Sequence, residues 1–453
     1  MASQTTQTYA EILAGHFAGL QYGALNNEKK HALKRLLLDF IGVAVAGSQT
    51  ASGKVAREFS KSLKGVGEST LIGDGARVPA MYGAFANAIS SHSVELDDID
   101  VLALFHFSPP VYAAALAVAE QCGASGRDLL LALAAGCEMM ERASKAANPS
   151  LRDRGYHTTP ACGIFGATVA CAKLWNLPAE QFVSALGLAG AQSGGLMEMY
   201  GPSMQKRFNP GPASRGGVTS ASMAKLGFTG ASTIFEGERG FLAAFTDAND
   251  PTELAKDLSE PYQLDIEFKP YSCARPIHNA IDCALNIRKA HAPDLTKIRS
   301  MTIRRHPSWA HYHQNTNPKT YHEAQVSLPY SVAVALNDGQ ALFAQYANER
   351  LTDAELLRLS NLLEFQVDPT LPRGVSCLLT VAMEDGTEFQ SQVDHPKGSI
   401  QNPMNDDELR TKFDSLVIPV LGSECAEKIA QTVFAIEDVE NVGELMQLLD
   451  QKK

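Results

Sequence analysis

The sequence has no C-x-x-C pair, no apolar run long enough to cross a bilayer, and no excess of positive charge. Each absence removes a class of protein. The eight cysteines (122, 137, 162, 171, 273, 283, 377 and 425) stand singly, mostly in apolar surroundings. A zinc ribbon or a ferredoxin-type cluster needs closer spacing, so buried free thiols are expected. The longest apolar stretches, such as 111–119, fall far short of the ~20 residues a spanning helix requires. Residues 1–20 show neither a basic n-region nor an apolar h-region, so the expectation is a soluble, cytoplasmic chain without a secretory signal or membrane association. Against 39 Lys plus Arg stand 50 Asp plus Glu, a formal net charge of −11. A nucleic-acid partner, which needs a basic face, is therefore not expected. Residues 190–201 are glycine-rich, but no strand precedes them and G-x-G-x-x-G is missing. With no P-loop either, nucleotide cofactors find no recognisable cradle.

What the sequence does contain is helix. In 27–47 the apolar residues Leu33, Leu36, Leu37, Phe40, Ile41 and Val45 fall on one stripe, with Asn27 as the expected N-cap. The segments 77–91, 110–122, 126–147 and 159–176 are apolar on nearly every side and rich in alanine, the signature of interior helices in a large bundle. Near residue 264 the pattern changes. Residues 298–305 alternate as a strand, and 376–383 and 388–393 form two more runs around the hairpin signal Asp385-Gly386. Helix-like stretches at 323–336 and 353–363 lie between them. Beyond 398 the chain returns to helix at 406–416, 423–434 and 442–449. The expected organisation is a discontinuous helical domain of residues 1–264 and 397–453, interrupted by a smaller α+β domain of residues 265–396.

Five clusters combine ionisable residues with turn formers. The first runs from His92 through Glu95, Asp97, Asp98 and Asp100 to His106 and Ser108-Pro109. Four acids in six residues read either as a solvated loop or as a site, and a histidine just before a helix suits proton transfer near neutral pH. The second is Arg154-Gly-Tyr-His157-Thr-Thr-Pro160, where Thr158 or Thr159 could equally be a plain helix cap. The third places Lys206, Arg207 and Arg215 in a Pro/Gly-rich loop beginning at Gly201-Pro202, chemistry that suits a carboxylate or phosphate. The fourth, Lys269 through Arg275 to His278, falls at the domain boundary, where clefts form. The fifth, 321–330, opens a helix and ends on Tyr330, which could be a core aromatic. His311-x-His313 is too weak a pattern to mark a metal site.

In this order and register the clusters resemble the MmgE/PrpD family over about residues 8–440. Its H-x-x-D-F-D-D and following H-P-S look like His92 to Asp98 and His106-Phe107-Ser108. Its G-[FW]-H-P-T/S is similar to Gly155 to Thr159, and its T-K-x-x-H-x-G motif to Gln205-Lys206 through Asn209 and Gly211. Its K-x-Y-P-x-C-x-x-x-H looks like Lys269 through Cys273 to His278, and its E-A-K-F-S-x-x-Y like Glu323 through Ser327 to Tyr330. The later G-F-T-G and N-P-M elements stand as Gly227 to Gly230 and Asn402 to Met404. The resemblance implies a mainly α fold with an α+β part, a large all-helical domain plus a smaller α+β domain, and an active site in the cleft between them. It also implies a homodimer, no metal and no organic cofactor, and a small polycarboxylate substrate. Known members carry out 2-methylcitrate dehydration, cis-aconitate decarboxylation and iminodisuccinate epimerisation. By the same resemblance His106, His157, Lys206, Tyr330 and Asp97 are expected to be catalytic. Lys269, His278, Arg275 and Arg207 are expected to bind substrate. The sequence departs from the family pattern at Glu95 (Asp usual), Ile99 (a small hydroxyl residue usual), Phe107 (Pro usual) and Asn209 (His usual). The leading expectation is a lyase of the dehydratase type. An epimerase or isomerase, a decarboxylase and a non-catalytic carboxylate-binding protein are the rivals.

Overall fold

A computed structural model describes residues 7–101, 103–199, 203–260 and 262–450. Gly201 and Pro202, the start of the basic loop, lie outside the described residues. The chain divides into two compact units. One comprises the helical part up to residue 266 together with 406–453, and the other is essentially 267–405.

The helical unit is built from the alanine-rich segments. Helices Asn27–Ser48, Ala80–Ser91, Ser108–Cys122, Gly126–Ala147, Thr158–Leu174 and Pro210–Lys225 form its interior, and most of their side chains are buried. Small residues are what let them approach. A Cβ at Gly166 would lie 2.5 Å from the Gly136 carbonyl oxygen, and one at Gly136 would lie 2.8 Å from that of Gly166. The helices Gly126–Ala147 and Thr158–Leu174 therefore touch backbone to backbone, which no larger residue permits. Two sequence expectations need correction. The N-cap of the helix Asn27–Ser48 is Asn26, whose side-chain oxygen accepts from the Lys29 amide at 2.8 Å. Residues Arg77–Val78 are a short strand pairing Ser69–Thr70, and Pro79 starts the helix that follows.

The second unit is a four-stranded sheet in the order Leu363–Val367, Ile298–Arg305, Cys377–Met383, Glu388–Val393. The first pair is parallel and the others are antiparallel, the last closing through the Asp385-Gly386 turn. Helices His278–His291 and Leu328–Asp338 bury Ile281, Ile287, Val332 and Leu336 with Met301, Ile303, Leu379 and Val381 of the strands. The expected continuous helix at 323–336 is two: Ser327 caps a new one by accepting from the Tyr330 amide, with Pro329 in its first turn.

Arg305 occupies a position where the alternation of this strand calls for an apolar residue. It is 1 % exposed, its Nη2 donates to the Pro276 carbonyl at 2.8 Å, and its Nε and Nη1 have no partner among the described residues. Burial lowers the pKa of its guanidinium. A buried cation lacking a carboxylate destabilises a fold, and an apolar residue of similar length removes that cost. Arg305→Met is expected to raise the stability of the protein by about 1–3 kcal/mol. A lower urea midpoint for the variant would contradict this.

Candidate active site

The acidic loop is buried, not solvated. Glu95, Asp97, Asp98 and Asp100 are each 3 % exposed or less. Each acid must therefore have a reason to be charged where it is.

Asp98 acts as a cap for the helix Ser108–Cys122. The residue in the N-cap position is Phe107, which has no side-chain oxygen to offer. The Asp98 carboxylate instead accepts from the Phe107 amide at 2.7 Å, the Ser108 amide at 3.1 Å and the Ser108 hydroxyl at 2.5 Å. Burial and the neighbouring Asp97 charge push its pKa up, and these bonds oppose that shift.

Asp97 bridges two histidines. Its Oδ2 lies 2.7 Å from His92 Nδ1 and 3.1 Å from His106 Nδ1. Burial would raise its pKa, but the two imidazoles outweigh burial and hold the carboxyl well below the usual range. His106 Nδ1 also contacts the Asp98 carbonyl, and a carbonyl only accepts, so this nitrogen carries a proton. That leaves His106 Nε2 as the reactive atom. The rings of His92 and His106 meet edge to face at 4.9 Å. The His106 amide donates to Thr159 Oγ1 at 3.1 Å, so Thr159 positions the histidine and neither threonine caps the helix Thr158–Leu174.

His92, Asp97 and His106 present three potential ligand atoms within 4.8 Å of one another. The proton on His106 Nδ1 keeps that nitrogen from binding a metal, so the set reads as a proton network.

His157 stands 6.1 Å from His92, ring to ring, and is buried. Its Nδ1 is 3.0 Å from Asn209 Nδ2, an amide nitrogen that also approaches the Leu196 carbonyl at 3.4 Å. Both contacts suit a donor, so Asn209 donates and His157 keeps its own proton on Nε2. Burial, followed by the electrostatic influence of His92, His106 and Lys206, holds the His157 pKa well below the ordinary value. The ring is therefore a neutral hydrogen-bond donor. Asn209→Asp is expected to reverse the tautomer, because a carboxylate demands the proton on Nδ1, and to raise the His157 titration midpoint by about one unit or more. Long-range proton–nitrogen NMR of the imidazoles reads both effects, and an unmoved midpoint would contradict them.

Lys206 and Arg207, both on the one-turn helix Gln205–Phe208, converge on Glu95. Arg207 Nη1 also donates to the His92 carbonyl at 3.3 Å, tying this ion cluster to the histidines. Arg215, expected in the same loop, lies instead on the helix Pro210–Lys225, its guanidinium 5.5 Å from the centre of the Phe85 ring.

In the α+β unit Lys269 and His278 are both buried. His278 opens its helix, with Nε2 3.2 Å from the Cys273 carbonyl, which places a proton on that nitrogen. Two of the expected site residues have partners within their own unit. Arg275 Nε and Nη2 both donate to Glu267 Oε2, at 2.9 and 2.7 Å. Tyr330 is a core aromatic whose hydroxyl donates to the Gln345 carbonyl at 2.9 Å, and burial pushes its pKa up to about 12.

His92, Glu95 and Asp98 fall in the first sequence cluster and Asn209 among the departures from the family pattern, but none of the four takes an individual role from the sequence. One signal for Asp98 was available: a helix beginning Phe107-Ser108-Pro109 has no side-chain cap of its own, so an acceptor had to come from elsewhere.

A large alanine-rich helical unit carrying buried, carboxylate-linked histidines beside a lysine–arginine pair, joined in one chain to a small mixed-sheet unit, defines a class of two-domain protein. The chain belongs to the MmgE/PrpD family. The family's N-terminal domain model matches residues 11–254 and its C-terminal domain model residues 271–438. The second match runs past residue 405 into helices that pack with the first unit. Among curated relatives, a cis-aconitate decarboxylase-like protein of Aspergillus oryzae is 30% identical over 447 residues, covering 92% of each chain. The cis-aconitate decarboxylase of Homo sapiens is 27% identical over 461 residues, covering 98% of this chain and 95% of its own. That of Aspergillus terreus is 25% identical over 448 residues, covering 92% and 91%.

Proposed function

We propose that this protein is a lyase acting on a small polycarboxylate, and that the bond it breaks is to a carboxylate carbon. The observation that carries the reading is the Asp97-bridged pair His92 and His106, with neutral His157 nearby and Lys206 and Arg207 beside them. The relatives named as cis-aconitate decarboxylases support decarboxylation ahead of dehydration.

In an unsaturated tricarboxylate, a carboxylate one carbon removed from the alkene leaves as CO₂. The electron pair of the broken C–C bond forms a new alkene, and the old alkene pair takes a proton at its far carbon. His106 Nε2 supplies that proton and is recharged from water. Asp97 holds the ring and balances the imidazolium. Lys206 and Arg207 bind substrate carboxylates, which displace Glu95, and His157 donates a hydrogen bond to the charge that develops.

The test is proton NMR in D₂O with a panel of di- and tricarboxylates. The expected result is loss of cis-aconitate with release of CO₂ and one deuterium in the product. A conjugated alkene formed from a hydroxy acid would replace the reading by hydro-lyase. Exchange of an α-proton without net loss would replace it by epimerase. No change in any compound would overturn it.

A further inference from the structure

We propose that His92 is a positioning residue that shares the Asp97 carboxylate with His106 and thereby sets how tightly His106 holds its proton. Two imidazole N–H groups meet one oxygen, Asp97 Oδ2, while Asp97 Oδ1 is buried with no partner among the described residues. The hydrogen bonding of this carboxylate therefore passes through the two rings. His92 makes one polar side-chain contact among the described residues, the 2.7 Å bond from Nδ1 to Asp97. Its Nε2 is buried without a partner there, so it can relay no proton onward. An orphaned ring nitrogen is costly to bury. What the ring contributes in return is a neutral donor on Asp97 and an edge against the His106 face.

The effect has a definite sign. Each N–H that Asp97 accepts draws off some of its negative potential. With His92 in place, His106 meets a weakened carboxylate and its imidazolium is less stabilised. Without His92, the whole charge falls on His106, which then holds its proton more tightly and gives it up more slowly. The other groups facing this pair stay constant in such a change. They are Asp98 on the same loop, His157, Lys206 and Arg207 with Glu95, and Asp39 with Lys412. His92 remains neutral throughout, since burial lowers its pKa to about 4 against the pull of Asp97.

The inference rests on the proposed function only for its consequence, because the titration of His106 is readable without substrate. Long-range proton–nitrogen NMR follows His106 in the intact protein, in His92→Leu and in His92→Asn, whose amide nitrogen can replace Nδ1. His92→Leu is expected to raise the His106 midpoint by about one unit or more, and His92→Asn to leave it within about 0.3 unit. If the leucine variant does not fold, His92→Gln serves instead, since its amide reaches the Nε2 position and not Nδ1. An unchanged midpoint in the variant that lacks the donor, or the same shift in His92→Asn, would overturn the proposal. With a substrate in hand, the alkaline limb of the kcat profile, where the proton donor is lost, should move upward by the same amount. A shifted titration in a protein that turns over no polycarboxylate would sink the functional reading alone.

Discussion

His106→Ala is expected to lower kcat on the polycarboxylate substrate by about 10²–10⁴-fold, the contribution of a positioned acid or base. The substitution removes the one ring whose Nδ1 proton is fixed by the Asp98 carbonyl and Asp97, and whose Nε2 remains for chemistry. KM should change little, because in the proposed function Lys206 and Arg207, not His106, bind the carboxylates of the substrate. His106→Gln separates two roles. Its amide can still donate a hydrogen bond but cannot exchange a proton, so kcat should fall almost as far. Asp97→Asn is expected to lower kcat by a smaller factor with a changed pH profile. It keeps the shape of the bridge but removes the charge that balances an imidazolium. Single-turnover kinetics with kcat and KM measured separately would decide the matter. A His106→Ala protein with near-normal kcat would move the proton transfer to another group, and His157 would be the next to test.

How much of this was legible in the sequence varied with the range of the interaction. The strand Ile298–Arg305 was readable because its alternation is local and one face is buried. The strand Leu363–Val367 was not. It follows a helix with almost no linker, lies at the edge of the sheet, and buries only its first residue fully, with Phe365 half-buried against the core. Its pairing to Ile298–Arg305 is parallel and spans some sixty residues, so nothing nearby in the sequence announces it. In the site, the motifs marked His106 with its neighbour Asp97, His157 and Lys206, but not the long-range partners of the last two. Glu95 and Lys206 are 111 residues apart, and His157 and Asn209 are 52 apart. Tyr330 and Arg275 show the converse: a motif position names a residue type, while burial and a nearby acceptor decide what its polar atoms do.

The same long-range pairing makes Glu95 the site's most consequential residue for stability. Glu95→Ala is expected to destabilise the fold by about 3–5 kcal/mol, the cost of breaking a buried ion pair by removing one partner. Lys206 and Arg207 both close on this carboxylate, and Arg207 and Glu95 are each under 5 % exposed, so water can replace little of what is lost. The backbone adds a smaller opposing effect. Glu95 sits at φ 56°, in the left-handed region that a residue with a long side chain adopts only when its contacts hold it there. Glu95→Gly relieves that strain while removing the same carboxylate, so it should be less damaging than alanine. Glu95→Asp retains the charge on a shorter arm and should lose one of the two cations rather than both. The decisive comparison uses a ligand. If Lys206 and Arg207 are where substrate carboxylates bind, an added tricarboxylate replaces the missing counter-charge. It should then raise the urea midpoint of Glu95→Ala more than that of the unmodified protein, in which it must first displace Glu95. Equal stabilisation of the two proteins would place the carboxylate elsewhere, and an unchanged midpoint for Glu95→Ala without ligand would show that the two cations find other partners.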